Sequence, residues 1–157
     1  MQSKRLTIEE AQKRILRFCA YQERSHHEVR NKLFAFGLIR QDVDNILTFL
    51  IEEGFLNEER FARAFAGGKF RMKKWGRLKI TRELERHDLT ANCIRLGLRE
   101  IEDHAYEHTL REIIQRKLEN LEEVNLYMKR DKLAKYAIRK GFEPELVWTE
   151  VKRQLPD

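Results

Sequence analysis

Gly54-Phe55-Leu56-Asn57-Glu58-Glu59-Arg60-Phe61-Ala62 decides the fold, because it reads as the end of one helix followed at once by the start of another. Gly54 suits the left-handed conformation that closes a helix, and Asn57 can accept a hydrogen bond from the first free amides of the next one, with Glu58 and Glu59 at its positive end. Leu56 before the cap and Phe61 four residues after it have the spacing of a hydrophobic staple, which sets the angle between the two helices. Nothing among these nine residues argues for catalysis. They are a helix-to-helix corner.

Towards the N-terminus the same grammar repeats. Thr7-Ile8-Glu9-Glu10 is a capping box, followed by the apolar stripe Ile8, Ala11, Ile15, Phe18 and Cys19 and a helix end near Tyr21. Ser25-His26-His27-Glu28 opens a second helix of about three turns with Val29, Leu33 and Phe36 inward, stopped at Gly37. A third helix carries Val43, Ile46, Leu47 and Leu50 and ends at Gly54. Three short helices make one module.

That module recurs twice. Val29, Leu33, Leu38, Val43, Leu47 and Leu50 return 51 residues later as Ile80, Leu84, Leu89, Ile94, Leu98 and Ile101. Another 53 residues on stand Leu133, Ala137, Phe142, Val147, Val151 and Gln154, with Leu155 able to replace the last. The spacing predicts an all-α protein of three tandem three-helix repeats, about nine helices, at residues 7–54, 55–102 and 103–155. The molecule is expected to be elongated and free to curve. Gly37 and Gly141 end equivalent helices where the second copy has Asp88, so its cap is expected to be weaker. The opening helix of that copy, about Glu58 to Lys74, contains Gly67-Gly68, which calls for either a closely approaching helix or a bend. In the third copy the opening helix spans about His104 to Leu121, and Pro144 fits the first turn of the last helix.

Composition narrows the class. The chain has 157 residues, 41% hydrophobic, and 32 Lys+Arg against 26 Asp+Glu leave a net charge of +6, which suits an acidic partner. No apolar run approaches a membrane span, and Met1 to Leu6 lack the apolar core of a signal peptide, so a cytoplasmic protein is expected. Cys19 and Cys93, each alone on an apolar stripe, read as buried thiols without a disulfide.

Arg24-Ser25, Glu28-Val29-Arg30, Lys32-Leu33, Gly37, the run from Gly54 to Ala62, and Gly76 with Ile80 and Glu83-Leu84 together resemble the RecX family of recombinase regulators. The resemblance spans nearly the whole chain, is most specific across residues 24–84, and departs from the family pattern at Asp88. It implies three tandem three-helix repeats that bind RecA, lodge along the RecA–DNA filament, and restrain strand exchange and ATP hydrolysis. A monomer without cofactor is expected. Direct weak DNA binding is allowed.

Two stretches carry the remaining chemistry. Lys69, Arg71, Lys73, Lys74, Arg77, Lys79 and Arg82 fall within residues 69–82, which hold no acidic residue, and Phe70 and Trp75 between them read mainly as core. Such uncompensated charge repels itself unless a partner neutralises it, so the stretch is the leading candidate for a binding face. Lys129, Arg130 and Lys132, followed by Lys135, Arg139 and Lys140, form a second basic cluster, and the repeat offset equates Lys132 with Lys79, which would put both clusters on one side. Arg24, Arg30 and Lys32 are further candidates, taken as exposed. His104-Ala105-Tyr106-Glu107-His108 matches the His-x-x-Glu-His pattern of certain zinc peptidases, but it lacks a third ligand and reads better as a solvated helix face. His26, His27 and His87 are likewise expected at the surface. No enzyme is expected. The alternative to a RecA regulator is a basic DNA-binding or architectural module, which would lose affinity steeply with salt and need no other protein.

Overall fold

Apolar residues spaced three and four apart can leave water together only on a helix, and this spacing dominates the chain. The structure is a computed structural model that describes residues 5–157; Met1–Lys4, part of the N-terminal segment read above for a signal peptide, lie outside the described residues. Among the described residues there are nine α-helices: α1 Ile8–Tyr21, α2 His26–Ala35, α3 Arg40–Glu52, α4 Glu58–Gly68, α5 Arg77–Arg86, α6 Ala91–Leu98, α7 Asp103–Glu119, α8 Leu126–Arg139 and α9 Pro144–Gln154. No helix is long and apolar enough to cross a membrane, among those residues.

The corner forms as its residues dictate. Gly54 has φ +79°, and the amides of Phe55 and Leu56 both donate to the Leu50 carbonyl at 2.9 and 3.2 Å. Asn57 Oδ1 accepts from the Arg60 amide at 2.8 Å, and Leu56 and Phe61 are both buried. Arg60 adds what the sequence did not announce: its Nη2 donates to the carbonyls of Gly54 and Phe55, and its Nε donates to Glu23. Ser25 and Glu28 make the full reciprocal capping box, whereas at α1 the Thr7 hydroxyl accepts from the Glu10 amide.

The chain forms two compact units, one of the described residues up to Ala64 with Leu84–Gly97, the other of Phe65–Glu83 with Leu98–Asp157. The boundary falls inside α4, α5 and α6. The first unit buries Ala11, Ile15, Val29, Leu33, Val43 and Leu50 in one cluster. The second buries Phe70, Ile80, Tyr106, Ile114, Leu133 and Phe142. Of the repeat positions, all are buried except Leu98 and Gln154, with its substitute Leu155, which are half-buried.

Four expectations meet a more specific structure. Asp88 takes the left-handed conformation, φ +60°, where the other copies have Gly37 and Gly141 at +88° and +103°, and its carboxylate lies 3.0 Å from His27 Nδ1. The helix closes there as it does elsewhere, with Leu89 N donating to Leu84 O at 3.3 Å. At Gly67-Gly68 no second helix lies within 4 Å of where a Gly68 Cβ would stand, and the nearest atoms to one on Gly67 belong to Arg71. The helix instead widens into a π-turn at Lys69–Lys73. Cys19 and Cys93 are free and half-buried rather than fully buried.

The fourth concerns the histidines, which are part-buried and not simply surface groups. His87 Nδ1 lies 2.9 Å from Ser25 Oγ, His27 pairs with Asp88, and His26 Nδ1 lies 3.1 Å from Glu58 Oε1. Burial, followed by the charge of Arg30, lowers the His26 pKa; burial raises that of Glu58, opposed by a hydrogen bond from the His26 backbone. Desolvation therefore outweighs attraction in this pair.

Leu33→Ala and Leu84→Ala, both at fully buried positions, should each cost about 2–5 kcal/mol in chemical denaturation. Gly68→Ala, with open space for a methyl group, should instead stabilise by up to about 1 kcal/mol. A histidine whose folded pKa is depressed stabilises fully above its unfolded value and loses that contribution as pH falls. Between pH 7 and 5 the melting temperature of the parent should consequently fall further than that of His26→Gln.

Candidate partner-binding face

The basic stretch begins in the π-turn and is held by backbone bonds before it is a set of charges. Lys74 closes the turn in the left-handed conformation, φ +58°, its amide donating to Phe70 O at 3.0 Å. Two residues later Gly76 N donates to Lys140 O at 2.8 Å, and Leu78 N donates to Gly141 O at 3.0 Å. A Cβ on Gly76 would stand 2.2 Å from the Gly141 carbonyl carbon, and one on Gly141 would stand 2.3 Å from Lys79 Cβ. Both positions are closed to any side chain, so the start of α5 and the end of α8 meet backbone to backbone.

This contact arranges the cations. Lys69 and Lys79 put their ammonium groups 5.1 and 4.5 Å from the Trp75 ring centroid, and Phe65 meets the same indole edge-on at 6.5 Å. Trp75 is thus half-buried under two cations, while Phe70 is core, 5.9 Å from Tyr106. Arg71, Lys73 and Arg82 are exposed, with Met72 84% exposed between the first two. Lys140 joins the group: burial first, then the charges of Lys79 and Lys74, lower its pKa. Among the described residues, no carboxylate pairs with Lys69, Arg71, Lys73, Lys74, Lys79 or Arg82.

Arg77 differs from its neighbours. Its guanidinium lies 4.0 Å above the Tyr106 ring and donates to Asp103 at 2.7 Å, and its amide donates to the Tyr106 hydroxyl at 2.9 Å. That hydroxyl donates in turn to the Glu143 carboxylate. Burial, reinforced by the bond to Glu143, pushes the Tyr106 phenol well above its ordinary range, so it stays protonated and keeps donating. Arg77 is therefore held against the fold, half-buried.

Much of the second cluster is engaged by partners of its own. Arg130 is buried, donating through Nε and Nη2 to the Leu155 carbonyl and pairing with Asp157 at 2.9 Å. Lys132 pairs with Glu123 at 2.9 Å, Lys135 pairs with Asp131 at 2.9 Å, and Lys129 is half-buried. Lys140 of this cluster stands beside Lys74 and Lys79. In the first unit Arg24, expected to be exposed, packs its guanidinium 3.7 Å over Phe18 and donates to the Phe18 carbonyl, its side chain only 12% exposed. Arg30 pairs with Asp44 at 3.3 Å, and Lys32 is exposed beside Phe18 and Phe36.

His104 and His108 stand exposed on α7, and no group of three metal-ligating side chains occurs among the described residues. The residue between them that matters was missed. Tyr106 is 1% exposed, and the signal for it was the stripe Tyr106, Leu110, Ile113 and Ile114 at helical spacing, all buried.

Tyr106→Phe strips a partner from both the Arg77 amide and Glu143, and should cost roughly 1–3 kcal/mol in chemical denaturation. Lys73→Ala, on exposed surface, should stay within about 0.5 kcal/mol of the parent.

The family model described as "RecX, second three-helix domain" matches residues 57–98, the span that opens at Asn57 of the corner and includes the whole basic stretch. The chain is similar to the regulatory protein RecX of Lactobacillus gasseri, 33% identical over 89 residues, which span 57% of this chain and a third (33%) of that one. It is 26% identical over 140 residues to the regulatory protein RecX of Pelodictyon phaeoclathratiforme, covering 89% of this chain and 83% of the relative. The fold matches a crystal structure of RecX from Lactobacillus salivarius with a TM-score of 0.81 at 18% identity, over 93% of this chain and 95% of that one. With a capped corner, a buried repeat register and relatives that align along most of its length, the chain is similar in sequence and in fold to the RecX proteins.

Proposed function

We propose that this chain restrains the RecA recombinase, binding RecA and the RecA–DNA filament and holding back strand exchange and ATP hydrolysis. It does so without catalysis or cofactor, as a cytoplasmic monomer that occupies a surface. The observation that carries the reading is the basic stretch: six cations of residues 69–82 without a carboxylate partner among the described residues, in a chain similar to proteins named regulatory protein RecX. Like charges held together on a fixed scaffold are relieved when an acidic surface neutralises them. The face proposed is Lys69, Arg71, Lys73, Lys74, Lys79 and Arg82, with Lys32 and Arg30 next in line. Arg77, Arg24 and Arg130 serve the fold and are not part of it. A second reading, direct contact of this face with DNA phosphates, follows from the same lack of counter-charge.

Lys73→Glu, Lys74→Glu and Lys79→Glu together shift the local charge by six and leave the Arg77–Tyr106–Glu143 chain intact. The triple variant should keep its helical circular dichroism signal and lose inhibition of RecA-driven strand exchange. Rising salt should reproduce part of that loss in the parent, since exposed charges are screened within about 8 Å at physiological ionic strength. Undiminished inhibition by a folded triple variant would contradict the reading. Loss of binding to naked DNA with inhibition of RecA retained would assign the face to DNA alone.

A further inference from the structure

The second unit holds an open cleft of about 370 Å³ whose rim carries Lys74, Arg116, Lys117 and Lys140, with Tyr136 and Asn120 between them. Arg116 is paired with Glu112 at 2.5 Å, whereas Lys74, Lys117 and Lys140 have no carboxylate partner among the described residues. The Tyr136 ring holds Lys117 Nζ 4.9 Å and Lys140 Nζ 5.8 Å from its centroid. The ring thus steadies two cations, and the opening offers charge and hydrogen-bond donors above a floor that includes Ile113. The Asn120 carboxamide caps its own helix by donating to Arg116 O at 3.0 Å. Lys140 shows the consequence: part-burial, then the charges of Lys79 and Lys74, lower its pKa, a stress that an anion in the cleft would relieve.

The number and placing of these donors choose among anions. A single carboxylate would leave two of the three unpaired ammoniums uncompensated. An internal phosphodiester carries one charge per unit and strings its charges along a chain, whereas this cleft gathers its cations around one opening. A phosphate monoester or polyphosphate concentrates about two or more negative charges and several acceptor oxygens at one point, and each ammonium brings three donors. We infer that the cleft binds a terminal phosphate or polyphosphate group, as carried by a nucleoside triphosphate or by the phosphorylated end of a nucleic-acid strand. Recognition is of charge, because the polar groups that line the opening are chiefly ammonium and guanidinium donors. This site stands independently of the RecA reading, with Lys74 the one residue common to both.

The test uses the full chain at physiological salt, with inorganic pyrophosphate, ATP, and a ten-nucleotide thymidine strand bearing either a 5′-phosphate or a 5′-hydroxyl, read by calorimetry and thermal melting. Pyrophosphate and ATP should bind and raise the melting temperature. Lys117→Gln and Lys140→Gln should each weaken pyrophosphate at least tenfold, and both should melt unligated at or above the parent's temperature, since neither lysine loses an ion-pair partner. Lys140→Arg should keep binding, and Lys132→Gln, outside the cleft, should change nothing. Preference for the 5′-phosphorylated strand over the 5′-hydroxyl strand assigns a strand end as the source; binding of ATP and pyrophosphate without that preference assigns a free nucleotide. The inference is overturned if pyrophosphate and ATP leave the parent's melting unchanged while both strands bind equally. It is overturned as well if the two glutamine variants bind pyrophosphate as tightly as the parent.

Discussion

The charged face depends on a contact that involves no charge. Gly76 and Gly141 bring two backbone segments so close that a methyl group on either would stand 2.2 or 2.3 Å from atoms of the other segment. Two amide-to-carbonyl bonds, from Gly76 to Lys140 and from Leu78 to Gly141, close the joint. The burial of backbone polar groups demands such pairing, and only glycine permits the approach. Because Lys74, Lys79 and Lys140 flank this joint in sequence, fixing the backbone fixes the cations against their mutual repulsion. The Tyr106 hydroxyl reinforces it by tying the Arg77 amide to Glu143, each of them one or two residues from the glycines.

The same logic explains which cations are available to a partner. An arginine can act as a charge or as a flat donor that satisfies carbonyls and packs on rings. Arg60 does the latter at the corner, Arg24 over Phe18, Arg130 at the Leu155 carbonyl, and Arg77 over Tyr106. Lysines dominate what remains, with Lys69 and Lys79 steadied by Trp75 and Lys117 and Lys140 by Tyr136. Aromatic rings thus hold ammonium groups in place without neutralising them. A surface built this way keeps its positive charge.

Much of the fold was legible because its determinants are local. Gly54, Asn57, Ser25 and Glu28 act within four residues of their own position, and the apolar register needs only helical spacing, so each could be read along the chain. Asp88 was readable as a departure but not as a solution, since its left-handed turn is accompanied by a contact with His27, 61 residues away in sequence. The candidate face was legible only as composition. Whether Arg77 faces a partner depends on Tyr106 and Glu143, and whether Lys132 is available depends on Glu123, and no local rule links those positions. The histidines were misread for the same reason: the groups they meet, Glu58, Asp88 and Ser25, lie 32, 61 and 62 residues away in sequence.

The central claim is that the backbone joint at Gly76 and Gly141 pins the basic stretch, and amide hydrogen exchange followed by NMR tests it most directly. Gly76 precedes α5 and Leu78 lies in its first turn, where amides have no intrahelical acceptor and ordinarily exchange fast. With Lys140 O and Gly141 O as acceptors, both amides should instead exchange with protection factors of at least about a hundred, approaching those of the Ile80 and Leu84 amides in the same helix. Exchange of Gly76 and Leu78 at the rate of an unprotected helix terminus, with Ile80 and Leu84 still protected, would contradict it.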